Sequence, residues 1–583
     1  MDAGGNDLNW KLKEKLAARL AREQGQIVYP AGGRTRFALA YPNSYFVGMS
    51  NLGLHIIYDI LNRRPDTACE RFFLPDGREL DEYRRTQTPL LSMETQTPLS
   101  DFAIIGFAVS FEMDYFHLLE MLEIGRVPVL AQERDERSPL VIAGGPCATF
   151  NPEPLSLFVD AFVIGEGEET IGRLMDVYQG AKEDGADRAE MLLRLSRIPG
   201  IYVPSLYEHN YKESGELETI RPVGDAPSRV GRQWVKKLDD FPAHTVIVTD
   251  ETEFNLYLIE TARGCGRHCR FCMAGYCFRR PRNRSLDILK DAVKSAKVYG
   301  KRIGLMGAAI SDYPEIDALS EYILSEGLTM SVASFRADSV TETMLRSLAE
   351  SGMKTITLAP EAGSARMRAV INKGIEEEHL FRAMDLGMAA GIRHYRLYIM
   401  LGLPYETEED VDAVADLAGR LKDYLESHES RGLLTLSVSP FIPKPFTPFQ
   451  WAPMADKKYI ESALKRLKKT MSGRKGIELI AEPAKSAYIQ GVLARGDRRV
   501  SRALYRAHRS GGAKAFSRAM KAEALKDEDY LYREYGERDV LPWDVLDMGM
   551  KKEYLYEEWR RAGRMETTVP CFDGCRRCGV CDE

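Results

Sequence analysis

A chain of 583 residues with 44% hydrophobic content carries enough apolar mass for several buried cores, which excludes a disordered protein. Its formal net charge of −6 and pI near 6.0 exclude binding of nucleic acid through overall charge and leave only local basic patches for such a role. The apolar runs are strand-sized and the charged opening lacks the apolar region of a signal peptide, so a cytoplasmic protein with no membrane span is expected. Eight of the ten cysteines fall in two tight clusters, which points to metal in a reducing compartment rather than to disulfides, whereas Cys69 and Cys147 read as ordinary buried thiols.

After a helical lead over residues 1–34, strand and helix patterns alternate through 35–178. Strands are predicted at 36–41, 72–74, 102–110, 140–143 and 161–164, with helices at 52–61, 114–124 and 168–178. The alternation predicts a doubly wound, Rossmann-like parallel sheet with a ligand crevice beyond the C-terminal ends of its strands. Those ends are rich in small residues, among them Ser110, Gly144, Gly145, Thr149, Gly165 and Gly167, with Met49, Glu112 and Glu166 beside them. Glycine there either lets a ligand approach the backbone or simply makes turns. Residues 179–252 read as a connector with a hairpin tip at 213–216, and no residue in it declares chemistry.

Residues 253–454 again alternate, with six strands near 254–259, 302–306, 329–333, 355–358, 395–400 and 433–438, which suits a partial (β/α)6 barrel. By analogy with the full barrel, its active site belongs at the strand C-terminal ends. Gly307 follows the second strand, Ser334 and Arg336 the third, and Glu361 the fourth. Thr407 to Asp410 are expected to cap the helix after the fifth strand. The aromatic, proline-rich loop 443–451 reads either as the mouth of a ligand site or as an apolar lid. Residues 455–583 are predicted to be mainly helical, with a basic amphipathic pattern at 457–468 that reads as a solvated face or as a guide for an RNA backbone.

Two cysteine arrays carry the chemistry. Cys265, Cys269 and Cys272 stand in the spacing C-x3-C-x2-C, and three soft thiolates so placed can hold a four-iron cluster with one iron left open. A zinc knuckle is the competing reading, although zinc normally wants a fourth ligand at compatible spacing. Cys571, Cys575, Cys578 and Cys581 repeat that spacing and add a fourth thiol; an auxiliary iron–sulfur cluster, zinc and a redox dithiol are the readings, in that order.

The first array, with Phe271 ahead of its third cysteine, resembles the signature of the radical S-adenosylmethionine (SAM) superfamily. Residues 144–155 and 164–169 look like the cobalamin-binding domain fused ahead of many radical SAM cores, as does the opening strand with its Val-Gly-Met-Ser-Asn-Leu-Gly. The whole chain resembles the subgroup of cobalamin-binding radical SAM proteins with a C-terminal four-cysteine cluster. The resemblance implies a [4Fe-4S] cluster on Cys265, Cys269 and Cys272, and SAM contacts from Phe271, Gly307, Ser334, Arg336 and Glu361. It further implies cobalamin against Met49, Ser110, Glu112, Gly144, Gly145, Thr149, Gly165, Glu166 and Gly167. Two departures stand out. Neither His55 nor His117 lies in the D-x-H-x2-G motif that supplies a lower cobalt ligand, and the usual Gly-Gly-Glu after the second barrel strand is here Met306-Gly307-Ala308-Ala309. The implied reaction is cobalamin-dependent methylation of an unactivated carbon, with an electron donor such as flavodoxin or ferredoxin. Rearrangement, sulfur insertion into tRNA or rRNA, and a non-catalytic cobalamin or redox sensor are the rivals. The substrate class stays open among small molecule, peptide and RNA.

Overall fold

The computed structural model describes residues 9–30 and 32–581, which form two units. The first comprises Met1–Leu256, Gly496–Asp527 and Asp539–Met548; the second comprises Tyr257–Arg495, Glu528–Arg538 and Gly549–Glu583. Residues 455–583, read from the sequence as one region, therefore contribute to both.

The first unit is built on a six-stranded sheet. Its strands in chain order are Thr35–Tyr41, Thr67–Phe73, Ile104–Ala108, Leu140–Gly144, Ala161–Val163 and Ile201–Tyr202, and they lie side by side in the order 2-1-3-4-5-6. The first five are parallel and the sixth is antiparallel. The doubly wound expectation holds, with two differences in extent. The second strand begins at Thr67, five residues before its expected start, because Glu70 and Arg71 interrupt its apolar pattern. Arg71 is nonetheless fully buried, its guanidinium 2.6 Å from Glu23 and 2.7 Å from Glu94, so the charges are satisfied under cover although this is the edge strand of the sheet. The third strand is shorter than its apolar run. Helices Val500–His508 and Phe516–Ala522, from late in the chain, complete this core, with Phe516 edge-on to Phe116 at 5.7 Å.

The second unit contains all six expected parallel strands, Tyr257–Glu260, Ile303–Met306, Met330–Ser331, Thr355–Glu361, His394–Leu401 and Leu434–Pro440. They fall into a three-stranded and a four-stranded sheet joined by a parallel bridge between Phe335 and Leu358. A seventh strand, Ile477–Ala481, extends the second sheet from the region expected to be helical. Its half-buried face, Ile477, Leu479 and Ala481, is apolar, but a run of only five residues does not by itself separate a strand from the helix expected there. The expected cap after the fifth strand is present: the backbone N–H and hydroxyl of Thr407 both donate to Asp410 at 3.0 Å. The aromatic loop packs inward. Phe449 and Trp451 are completely buried against Trp559 and Tyr556 of the helix Lys552–Gly563. On the basic helix Lys457–Met471, Arg466 is paired with Glu408 and Asp412, and the apolar residues Ile460, Ala463, Leu467 and Met471 face inward.

Candidate metal centre and cofactor site

The cysteine loop leaves the first barrel strand through a pinned neck. Glu260, at the end of that strand, accepts two hydrogen bonds from Arg263 at 3.0 Å and pairs with the buried Arg284 at 2.7 Å, and Ala262–Arg263 ladders against Arg282–Asn283. Gly264 has φ +80, and a Cβ there would lie 2.1 Å from the carbonyl oxygen of Phe278, so the neck closes only on glycine. Within the loop Cys269 is buried, and Cys265 and Cys272 are half-buried. Arg267 fixes the loop to the barrel by donating to both oxygens of Asp312 at 2.9 Å and to Asp338 at 3.2 Å. Arg270 anchors its far side through Glu558 and the carbonyls of Ala369, Val370 and Glu566.

Burial pushes the Cys265 thiol up to about 11 and also raises Cys272. Two cations offset that cost for thiolates bound to iron. Arg336 points its guanidinium at the Cys269 sulfur, 3.9 Å away, and the buried Lys373 ammonium lies 5.7 Å from the Phe271 ring centre. Three thiols on one pinned loop beside two fixed positive charges fit an anionic iron–sulfur cluster.

The SAM residues expected from the sequence lie at the C-terminal ends of the barrel strands. At Gly307 a Cβ would come within 2.9 Å of Ile310 and 3.2 Å of the Thr261 hydroxyl, so the chain there runs close under the cysteine loop. Ser334 is half-buried, and its neighbour Phe335 pairs with the fourth strand through a 2.9 Å bond to Thr357. Arg336 is held by two bonds to Asp338, at 3.0 and 3.1 Å, and one of 2.9 Å to the Lys373 carbonyl. Glu361 sits at φ +67 and accepts from Lys373 at 3.1 Å. Lys373 thus joins Phe271, Arg336 and Glu361 in one group, a role missed from the sequence because a single lysine after a helix has no diagnostic spacing. Asp312, Asp338 and Arg267 were missed for the same reason.

In the first unit, strand order reverses between the first and third strands, which sets the crevice at their C-terminal ends. The nine residues expected to meet cobalamin divide into two groups there. Several are engaged by the protein itself. The Met49 sulfur is 3.3 Å from Arg71, the Thr149 hydroxyl accepts from Gly165 N–H at 3.0 Å, and the Glu166 carboxylate accepts from Val235 N–H at 2.8 Å. Glu112 is buried. A Cβ on Gly145 (φ +96) would meet the Val109 carbonyl oxygen at 2.7 Å, and one on Gly165 (φ +103) the Gln233 carbonyl oxygen at 2.1 Å. The connector is therefore a strap: Gln233 bonds to Ile164 and Glu166 across the end of the fifth strand. Gly144 and Gly167 are less enclosed, as is Ser110 although its hydroxyl accepts from Asn51 at 3.3 Å; a Cβ on Gly144 would meet nothing closer than 3.7 Å, and Phe46 and Phe111 are exposed by 48% and 43% at the same strand ends. A cavity of about 460 Å³ beside the first two strands, lined by Arg19, Ser44, Tyr45, Phe73 and Glu251, contains none of these nine residues. His117 is bound to Asp114 at 3.1 Å and to the Pro42 carbonyl at 3.0 Å.

At the other end of the chain, Cys575 and Cys578 are buried and Cys571 and Cys581 half-buried. Cys571 donates its N–H to the carbonyl of Gly266, inside the first cysteine loop, at 2.8 Å.

These features define a protein built around a barrel-borne cysteine loop, and the comparisons with known families agree. Residues 259–418 match the radical SAM superfamily, and residues 53–204 match the N-terminal domain of radical SAM proteins. The chain carries radical SAM domains. It is 29% identical over 479 residues to an uncharacterized protein of Methanocaldococcus jannaschii, covering 80% of this chain and 90% of that one. It is 26% identical over 164 residues to a tRNA-2-methylthio-N(6)-dimethylallyladenosine synthase of Prosthecochloris aestuarii, covering 26% of this chain and 37% of that one. Among solved structures, the cobalamin-dependent SAM radical enzyme OxsB with aqua-cobalamin bound aligns at 14% identity and TM-score 0.49, over 91% of this chain and 79% of that one. The radical SAM methyltransferase TsrM from Kitasatospora setae aligns at 15% identity and TM-score 0.43, over 69% and 72%. Among the described residues, no helix is long and apolar enough to cross a membrane.

Proposed function

We propose that the protein reductively cleaves SAM at a [4Fe-4S] cluster on Cys265, Cys269 and Cys272 and uses cobalamin to methylate an unactivated carbon. The observation that carries the reading is the placement of those thiols, Arg336, Lys373 and Glu361 together at the barrel's C-terminal strand ends. When bound, the cluster supplies one electron that splits the sulfonium into methionine and a 5′-deoxyadenosyl radical, and cobalamin supplies the methyl carrier.

The chain's own residues bind and orient. Arg336 and Lys373 hold positive charge against the cluster ligands, and the Arg267 clamp fixes the loop. Gly307 keeps the second strand end flat enough for an amino-acid moiety, and Glu361, positioned by Lys373, offers its second oxygen to ribose hydroxyls. For cobalamin, Ser110, Gly144 and Gly167 with Phe46 and Phe111 supply a polar and apolar rim at the switch point, while Gly165 and Glu166 hold the Gln233 strap, with Thr149 bonded to Gly165 and Gly145 packed on Val109. No general base is assigned, because radical transfer places the demand on positioning and water exclusion. An external one-electron donor of the flavodoxin or ferredoxin class completes the scheme.

The test is anaerobic incubation of the iron-reconstituted chain with SAM, dithionite and cobalamin. 5′-Deoxyadenosine is expected, and it should vanish in Cys269→Ala; none from the wild-type chain refutes the SAM reading. Base-off absorption on cobalamin uptake is expected, and a chain that takes up no cobalamin refutes that half alone. The partial match to a methylthio-tRNA synthase favours sulfur insertion as the second reading, and labelled methyl transfer without sulfur transfer distinguishes the two.

A further inference from the structure

The terminal cysteines are joined to the first cysteine loop, and the junction is specific. Besides the 2.8 Å bond from Cys571 N–H to the Gly266 carbonyl, a Cβ on Gly266 would stand 3.4 Å from the Cβ of Cys571, so the two chains run in contact. His268, between Cys265 and Cys269, is buried and turned toward the terminal array. Its Nδ1 faces two donors, the Tyr554 hydroxyl at 2.7 Å and Arg279 at 3.3 Å, which makes Nδ1 the acceptor. The proton therefore sits on Nε2, which lies 3.5 Å from the Cys571 sulfur and donates to it. Asn372 fastens the same junction by donating to the carbonyls of His268 and Thr568, both at 3.0 Å.

The array is also built for anionic sulfur. Arg577 donates to the Cys575 sulfur at 3.1 Å while its other nitrogen holds the carbonyls of Val569 and Pro570. The buried Arg279 guanidinium lies within Coulombic reach of Cys571 and Cys578. Gly574 and Gly579, at φ +81 and +93, turn the chain between successive cysteines, and Lys551 N–H ties down the Cys578 carbonyl at 3.0 Å. On the outer side Val569 and Phe572 are exposed by 61% and 60%, so the array's edge meets solvent while Cys571 meets the inner loop.

We propose that Cys571, Cys575, Cys578 and Cys581 hold a second iron–sulfur cluster that relays single electrons from an external low-potential protein donor to the Cys265 loop across the Cys571–Gly266 and Cys571–His268 contacts. This rests on the radical SAM reading of the first loop. The donor, a reduced flavodoxin or ferredoxin, loses one electron; the array gains and then loses it; no covalent bond changes and no proton moves. The repeat of the C-x3-C-x2-C spacing favours iron, and the N–H donated to a ligand sulfur is the kind of outer contact that tunes a cluster's potential. His268 is a positioning residue in this scheme.

The test uses the full chain, reconstituted anaerobically with iron and sulfide. Mössbauer spectroscopy and iron content of the wild type should show two clusters; one cluster, or zinc at the array, overturns the proposal whether or not any variant folds. In the variant with Cys571, Cys575, Cys578 and Cys581 all changed to Ala, iron should fall to about half. Dithionite should still reduce the first cluster and yield 5′-deoxyadenosine, while reduction by flavodoxin hydroquinone, followed by electron paramagnetic resonance, should be lost. Unchanged flavodoxin-driven reduction overturns the relay. If that variant does not fold, His268→Leu replaces it: both clusters stay, and flavodoxin-driven reduction slows roughly tenfold or more. A His268→Leu rate equal to wild type overturns the path. Failure of the dithionite arm in the wild type falls on the SAM reading instead, and the cluster count stands apart from it.

Discussion

Lowering the pH should destabilise the N-terminal unit through His55. This imidazole is completely enclosed beneath the crevice and held by two complementary bonds: Nε2–H donates to the Met49 carbonyl at 3.0 Å, and Nδ1 accepts from the Ile247 backbone N–H at 3.3 Å. Burial is the main reason its pKa is lowered from 6.5 to about 4, and nearby Arg71 and His244 add to the shift. A proton on Nδ1 would face the Ile247 N–H, so the charged ring loses an acceptor as well as water. Each tenfold change in proton affinity is worth about 1.4 kcal/mol, so the neutral ring contributes roughly 3 kcal/mol at neutral pH. The sign follows from proton uptake. Between pH 6.5 and about 4 the unfolded chain binds this proton and the folded chain does not, so the contribution is fully present above pH 6.5 and is lost as pH falls toward 4. Urea unfolding of wild type and His55→Gln, followed by tryptophan fluorescence across pH 7.5 to 4.5, isolates the residue. The gap between the two chains should narrow by about 2 kcal/mol or more over that range. A pH-independent gap would refute the buried neutral ring.

Gly165→Ala should destabilise the first unit by about 3 kcal/mol or more, because it strains a left-handed backbone and drives a Cβ into the Gln233 carbonyl of the strap; a shift in the denaturation midpoint checks it, and a neutral change would mean that the strap is loose. Gly144→Ala has room for its Cβ, so stability should stay within about 0.5 kcal/mol while cobalamin uptake, read by base-off absorption, weakens. Lys373→Met leaves the half-buried Glu361 without its partner and should cost about 1–3 kcal/mol in the second unit, with weaker SAM binding in equilibrium dialysis; unchanged binding would remove Lys373 and Glu361 from the site.

Much of this architecture is written locally. Apolar runs bounded by turn residues announce strands where the run itself is buried, as at 36–41, or where alternate residues turn inward, as at 395–400, and the Thr407 cap and the cysteine spacings need only a few consecutive residues to be recognised. The second strand of the first sheet was cut short because Arg71 reads as a surface residue until Glu23 and Glu94, distant in sequence, are brought to its guanidinium. The strand Ile477–Ala481 escaped because it is short: Ile477, Leu479 and Ala481 make an apolar face that suits a helix or a strand over five residues, and its pairing with Leu434–Pro440 decides its state.

At the site the division is sharper. The sequence by itself determined which residues are chemically able to hold iron, because thiol spacing is a property of the chain. Only the tertiary structure decided what surrounds them. It closed Arg336, Glu361 and Phe271 around Lys373, turned Gly165 and Glu166 toward a strap of the same chain, and carried Cys571 some three hundred residues along the chain back to Gly266 and His268. Such contacts depend on long-range packing, and no local pattern of residue types encodes them.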